Sequence, residues 1–297
     1  MRRLRSWSLL LLLFGAGGAF AQVLTVAYVE GDARVRNGAA WVELSIGDSV
    51  SGESTVQLGD GAYLELTSAS ARIALSQKGS YSLHNILSSS RALGSTGAGK
   101  ALLASLSHLA SEPARNQGAV GGARGANESK TDDTEWEGSS AQVFLDSGRE
   151  FSRSGQYDQA IAQLTQALAV ADETEVPEVR FNLADAYSLK GDTRGALKLA
   201  ASLKPSGGEA WAADFVLLKA KLLMDTNAFS QEITWLTQNG NDLSGDAQRG
   251  QVYLFLLGVA YRGAGDTANQ KEALTKAVFL SPDSDLGKAA AQLLQTP

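Results

Sequence analysis

A repeat in the C-terminal half of the chain restricts its fold more than any other feature. Small residues recur there at spacings of 36, 36 and 38 positions, at Gly148, Ala184, Ala220 and Gly258. Three positions after each of them stands an aromatic or apolar residue: Phe151, Tyr187, Leu223 and Tyr261. Self-similarity of this length is typical of stacked helix pairs, in which a small residue lets two helices approach closely. We therefore predict helix pairs over residues 140–297, beginning near residues 141, 177, 213 and 251.

The second helix of each pair supports this prediction and identifies a family. Its apolar positions also recur in phase, for example at Ala160 and Leu164, and again at Ala196 and Ala200. This pattern resembles the tetratricopeptide repeat, a paired-helix unit of about 34 residues. The third copy departs from it, because Glu232 stands where the family has alanine. The resemblance implies an all-α superhelix of about four helix pairs, closed by a C-terminal capping helix after Pro282.

A concave groove is the binding surface that this resemblance implies, with the first helix of each pair along it. Four apolar residues would form a row in the groove: Leu145, Phe181, Leu217 and Phe255. Four charged residues would flank that row: Arg149, Asp185, Lys221 and Arg262. We predict that a protein or peptide partner binds there. Its apolar side chains would contact the row, and the charged flanks would set its register. The alternative is that these residues pack against neighbouring helices or against the connector that precedes the repeats.

Residues 22–86 alternate between apolar and polar side chains and are punctuated by glycine-containing turns, which predicts a small all-β sandwich or barrel. The segment resembles the FecR-type periplasmic domain. The residues that carry this resemblance are Gly31, Val35, Trp41, Leu44, Gly47, Thr55, Leu58, Asp60, Gly61, Leu64 and Leu66. The family is non-enzymatic, so the resemblance implies a second binding or sensing module that contacts a component of the cell envelope. We expect Trp41 to lie in the core of this domain.

Residues 87–139 are rich in Gly, Ser and Ala and predict a low-complexity connector. One amphipathic helix is expected inside it, with four leucines on one side: Leu102, Leu103, Leu106 and Leu109. The stretch 119–126 resembles the end of FecR-type domains and predicts a late strand of the β domain. The segment from Gly94 to Lys100 has the spacing of a phosphate-binding loop. Ala101 follows the lysine instead of Ser or Thr, and no apolar strand precedes it, so we interpret it as linker.

The first 21 residues have the pattern of a signal peptide. A basic start with Arg2, Arg3 and Arg5 precedes a short apolar run, and Ala19-Phe20-Ala21 matches a cleavage site. We therefore predict export to the periplasm or cell envelope, with cleavage after Ala21. No transmembrane helix is expected in the mature chain, because its longest apolar run is far shorter than a bilayer crossing requires.

Charge and residue types restrict the function further. The formal net charge of −6 argues against nucleic-acid binding, which needs a basic surface. The chain has no cysteine and two histidines, and no catalytic motif is visible, so we expect no catalytic residues, no metal site and no cofactor. The best interpretation is a non-enzymatic interaction scaffold of the cell envelope. A structural spacer or adaptor, or a hydrolase whose active site lacks a known motif, remains as the alternative.

Overall fold

The computed structural model describes residues 22–95, 97–109, 140–206, 208–240, 243 and 245–296. The predicted signal peptide and the predicted late strand over residues 119–126 lie outside these ranges. Within them, an all-β region is followed by paired helices and a C-terminal helix, which confirms the predicted fold class. In the described part of the chain, no helix combines the length and apolar character needed to cross a membrane.

The β region contains two four-stranded antiparallel sheets, with strand orders β4-β1-β6-β7 and β3-β2-β5-β8. Their strands are β1 (Val23–Glu30), β2 (Ala33–Asn37), β3 (Ala40–Glu43), β4 (Ser49–Ser51), β5 (Thr55–Leu58), β6 (Tyr63–Thr67), β7 (Arg72–Leu75) and β8 (Gly79–Ser82). Alternation places every second side chain inside, so that Leu24, Val56, Leu64 and Leu66 share one buried core.

Strand β3 lies at the edge of its sheet and contradicts the prediction for Trp41. A two-residue turn at Gly38 and Ala39 joins β2 to β3, and Gly38 adopts a φ of 61° that suits such a turn. Trp41 is 38% exposed, so its placement in the core was wrong. Its partner across the strands is Arg36, which is exposed, and directly opposed side chains lie on the same face of a sheet. The period-two pattern marks a strand, but it does not tell the central strands from the edge.

Two helices follow the last strand directly, where the sequence predicted a connector with one helix. They are α1 (Leu83–Ser95) and α2 (Ala98–Leu109). The segment that resembles a phosphate-binding loop spans the junction between them, and Gly97 turns the backbone there with a φ of 66°. A phosphate-binding loop requires a strand before the glycines, and here a helix occupies that place. This geometry agrees with the rejection of a nucleotide site, but the segment connects two helices directly instead of forming part of a longer linker.

The remaining described residues form four helix pairs and a last helix. These are α3 (Ser140–Arg153), α4 (Tyr157–Val170), α5 (Val176–Lys190), α6 (Thr193–Ala200), α7 (Ala212–Asp225), α8 (Phe229–Asn239), α9 (Ala247–Gly263), α10 (Thr267–Leu280) and α11 (Asp285–Gln295). The small repeated residues lie where the helices of a pair touch. A Cβ atom on Gly148 would stand 2.5 Å from Leu164 Cγ, and one on Gly258 would stand 2.6 Å from Leu274 Cγ. Larger residues there would push the two helices of a pair apart.

The β region contacts the turns of the second and third helix pairs. The Arg194 guanidinium lies 4.0 Å from the centre of the Tyr28 ring, within cation–π range. Asn227 Nδ2 donates a hydrogen bond of 3.2 Å to the Ala74 carbonyl oxygen. Lys198 lies 3.8 Å from a carboxylate oxygen of Glu30. These contacts are polar and largely exposed, so we expect them to orient the two regions more than to stabilise them.

Candidate partner-binding groove

Helix α2 lies along the concave side of the repeats. It packs against α3, α7, α9 and α11. Three of these are the first helices of their pairs, which line the inner face of stacked helix pairs. Ala98, Ala101 and Leu102 belong to the same buried cluster as residues of α7, α9 and α11. Their spacing of three and four places them on one face of α2, which is the face that enters the groove.

The predicted apolar row divides between three separate clusters. Leu217 and Phe255 lie in the cluster that α2 completes. Leu145 packs with α4 and α5, in a cluster that includes Leu164 and Val179. Phe181 belongs to the third cluster. Leu217 and Phe255 therefore share one buried cluster with residues of α2, whereas Leu145 and Phe181 lie among their neighbouring helices in two other clusters.

Phe181 is part of an aromatic cluster that joins the second helix pair to the third. Its ring stacks on Trp211, with centroids 5.4 Å apart and an angle of 19° between the planes. It also meets Phe215 edge-on, with centroids 6.5 Å apart. Only 6% of Phe181 is exposed. Such pairs add stability beyond the burial of their area, so Phe181 is a core residue in this structure.

Three of the four charged flanks are engaged within the repeats. Arg149 Nε donates a 3.0 Å hydrogen bond to Asn182 Oδ1, and the guanidinium also pairs with Glu178. Lys221 is buried and pairs with Asp225, one helical turn later. Arg262 Nη1 donates to the carbonyl oxygen of Thr296 at 3.1 Å, which ties α9 to the end of the last helix. The contacts of Arg149 and Arg262 therefore tie first helices to neighbouring helices, whereas that of Lys221 lies within α7.

Asp185 is the fourth charged flank, and its ionisation falls near neutral pH. Burial raises the pKa of Asp185 to about 7, Lys221 opposes this shift, and Asp214 adds to it. A carboxyl group with this pKa changes charge between about pH 6 and pH 8, whereas an exposed aspartate is ionised throughout that range. The charge inside the repeats therefore depends on pH at this position.

Two polar features of the repeats were not found from the sequence. Arg249 Nε donates a 2.8 Å hydrogen bond to Asp214 Oδ1 and so links α9 to α7. Glu232 is fully buried in α8, and neither of its carboxylate oxygens has a hydrogen-bond partner among the described residues. Burial, with a smaller contribution from Asp225, raises the pKa of Glu232 well above its usual value. The only sequence signal was the replacement of the family's alanine at Glu232, which marked an irregular repeat rather than a buried acid.

An apolar pocket of about 400 Å³ lies between the start of α9 and the end of α10. Its lining includes Tyr253, Leu254, Phe279 and Leu280. Phe279 is largely exposed at the mouth of this pocket. In a periodic helix pattern, Phe279 resembles any other apolar position, so the pattern does not single it out.

Comparisons with known proteins agree with the helical architecture. Residues 252–284 match the model of the tetratricopeptide repeat. The matched residues cover most of α9, all of α10 and the turn after it. The helical domain thus contains a tetratricopeptide repeat, in the pair that lies against α2. No curated protein matches the chain.

Two solved structures of MamA are similar to this chain. A MamA RS-1 ArsTM double mutant is 22% identical, and the match covers 53% of this chain and 92% of that one with a TM-score of 0.42. MamA 41-end from Desulfovibrio magneticus RS-1 is also 22% identical, and the match covers 53% of this chain and 93% of that one with a TM-score of 0.41.

Proposed function

We propose that this protein is a non-enzymatic interaction scaffold of the cell envelope, and that its repeat groove binds a helical segment of a partner protein. One observation carries the proposal: an amphipathic helix from outside the repeats already lies in the groove, with Ala101 and Leu102 in the same cluster as Phe255. Proteins built from tetratricopeptide repeats bind protein partners, and a groove of this kind recognises residues spaced like those of α2. Helix α2 therefore serves as a guide to the ligand.

The proposal assigns different roles to the predicted groove residues. Leu217 and Phe255 are the apolar surface on which the helix rests. Behind that surface, Arg262 ties α9 to the last helix, and Lys221 and Asp185 place charge inside the repeats. Leu145 and Phe181 are buried in the first two pairs and Arg149 pairs with Glu178, so these three residues support the groove from behind. A partner that displaces α2 would need an apolar face with small residues, because alanines fill the contact in α2.

Export and a second module complete the proposal. The pattern of the first 21 residues supports a signal peptide, and the resemblance of residues 22–86 to the FecR-type domain supports a module that senses or binds an envelope component. The polar contacts of Tyr28 and Glu30 with the repeats would keep the two modules in a fixed orientation. Sequencing of the N-terminus of the exported protein tests the first part, because cleavage after Ala21 leaves Gln22 as the first residue.

A peptide that reproduces α2 provides the test of the groove. A labelled peptide of residues 97–109 is titrated against the protein and against its Leu102→Asp variant, whose own helix should leave the groove because a buried charge is costly. We expect saturable binding to the variant, and binding at least about 10-fold weaker to the unchanged protein, whose groove is filled. The control peptide with Leu103→Asp should still bind, because that substitution lies on the exposed side of the helix.

A structural adaptor is the second candidate function, and the same filled groove favours it. If α2 is a permanent part of the helical domain, the repeats offer no free concave surface. The adaptor hypothesis then predicts that the peptide binds neither protein and that Leu102→Asp simply unfolds the last repeats. Binding of the peptide to the variant would contradict it.

A further inference from the structure

The edge of the second sheet is open at β3. In the described part of the chain, β3 pairs with β2 on one side, and its other side faces no strand. All four residues of the strand, Ala40–Glu43, are exposed. Open edges are normally protected from other strands by charged side chains, above all lysine, by proline or by a bulge, and β3 carries one charge, at Glu43. The sequence Ala-Trp-Val-Glu contains neither lysine nor proline, and its register with β2 runs without a shift.

The main chain of β3 determines which groups the edge presents. Asn37 and Ala40 close the two-residue turn, so they form a hydrogen-bonded pair, and such pairs alternate along an antiparallel ladder. The next hydrogen-bonded pair is therefore Val35 with Val42. Consistently, Leu44 N donates to the Ala33 carbonyl oxygen at 2.9 Å. The N–H and C=O groups of Trp41 and Glu43 consequently point outward, away from β2.

These outward groups are self-complementary. Suppose that a second copy of β3 runs antiparallel to the first, about a two-fold axis at Val42. Trp41 of each strand then faces Glu43 of the other, which gives two facing pairs. Each facing pair exchanges two hydrogen bonds, which gives four in total. The two Val42 side chains then meet at the axis as a non-hydrogen-bonded pair, where side chains are closest.

The charges on the outer face also match in this arrangement. Arg34 is opposite Glu43, and Arg36 is opposite Trp41, on the neighbouring strand β2. Pairing of two copies would create the row Arg34, Glu43, Trp41, Arg36, in which the last two residues belong to the second copy. Each Glu43 would then be flanked by Arg34 of its own copy and by Trp41 of the other. Cross-strand pairs of opposite charge and of aromatic residues favour such contacts.

We propose that β3 is a self-association surface, through which two copies of this chain join their second sheets edge to edge. The joined sheet would have eight strands, with the two copies of β3 at its centre. The contact is small, so the dimer is expected to be weak and to form at micromolar concentration or above. It would give the scaffold two grooves.

Disulfide trapping tests the register of this contact. Because the chain has no cysteine, the introduced residue is the only one that can form a disulfide. In the Val42→Cys variant, the two sulfur-bearing residues would have Cα atoms about 4.5 Å apart, within the range of a disulfide. In Trp41→Cys, the two cysteines are not opposite each other but two positions apart along the paired strands. Their separation of roughly 7–8 Å is too large for a disulfide. Mild oxidation should therefore trap Val42→Cys as a dimer at least about 10-fold faster than Trp41→Cys. Equal trapping of the two variants would overturn the proposal.

Sedimentation of the uncrosslinked protein provides a second measurement. Val42→Lys places two like charges at the axis and should raise the dimer dissociation constant at least about 10-fold. The matched control is Val23→Lys, at an exposed valine of the first sheet, and it should leave that constant within about twofold. A protein that stays monomeric up to millimolar concentration would contradict the proposal. Dimers that form only after residues 119–126 are deleted would assign the edge to that segment and equally contradict it.

Discussion

The β region and the helical repeats complete their hydrophobic cores in different ways. The β region has one cluster, which its own strands and the start of α1 supply. The repeats have three clusters, and the last of them includes Ala98, Ala101 and Leu102 from a helix that lies outside the repeats. Stacked helix pairs leave an apolar inner face, because each pair covers only its neighbours. In this chain, a preceding helix covers the last part of that face.

The largest effect is expected inside the repeats. Phe181→Ala should lower the free energy of unfolding by about 3–5 kcal/mol, because it leaves a cavity beside Trp211 and Phe215. Denaturant unfolding followed by tryptophan fluorescence measures this loss. The affinity of the emptied groove for the α2 peptide should change little. A large loss of peptide affinity at unchanged stability would show instead that Phe181 contacts the peptide.

The contact of α2 should give the next largest effect. Leu102→Ala should lower the free energy of unfolding of the helical domain by about 2–3 kcal/mol, because this buried side chain fills the last cluster. The β-region transition should not move. The matched control is Leu103→Ala, since Leu103 is 37% exposed, and it should cost less than about 0.5 kcal/mol. Equal losses for the two variants would mean that α2 has no preferred face.

The two regions also differ in how their stability depends on pH. The raised pKa of Asp185 means that the folded repeats hold a proton that the unfolded chain releases near pH 4. Their stability should therefore be greatest at low pH and fall as the pH rises from about 4 to about 7. Asp185→Asn should flatten this slope and gain about 1–2 kcal/mol at pH 8 relative to the unchanged protein. Thermal melts between pH 5 and pH 8 test this, and an unchanged slope would contradict it.

The smallest effect is expected where the two regions touch. Arg194→Ala removes the contact with Tyr28 and should cost about 0.5–1 kcal/mol. We expect separate unfolding transitions for the β region and the helical domain, because their contacts are polar and exposed. Differential scanning calorimetry distinguishes two separate unfolding transitions from a single joint one. If the unchanged protein shows a single transition and Arg194→Ala splits it into two, the β region and the helical domain are more strongly coupled than we expect.

The sequence predicted most of the fold because the signals involved are local. The small residues at Gly148 and Gly258 marked the places where helices touch, and the alternation around Leu64 and Leu66 marked buried strands. Each of these patterns depends on the period of one helix or one strand. The register of the repeats therefore followed from spacing alone.

The site was harder to predict because it depends on contacts between distant segments. The leucines of α2 predicted an amphipathic helix, but Leu103 was wrongly grouped with Leu102, since Leu103 is 37% exposed and alanines complete the buried face. Spacing also does not identify the surface that an amphipathic helix will cover. The composition around α1 favoured a linker, although the chain folds into helices there. Trp41 was placed in the core because alternation does not specify which strand lies at the edge of a sheet.

Hydrogen exchange of α2 reports directly on whether this helix fills the groove. A 12-residue helix is marginal in water when it is alone, so protection of its amides must come from packing in the groove. We predict that the amides of residues 101–106 exchange about as slowly as those of α9, and that Leu102→Asp removes this protection and also speeds exchange in α11. Fast exchange of residues 101–106 in the unchanged protein, with α9 and α11 protected as before, would contradict the claim that α2 fills the groove.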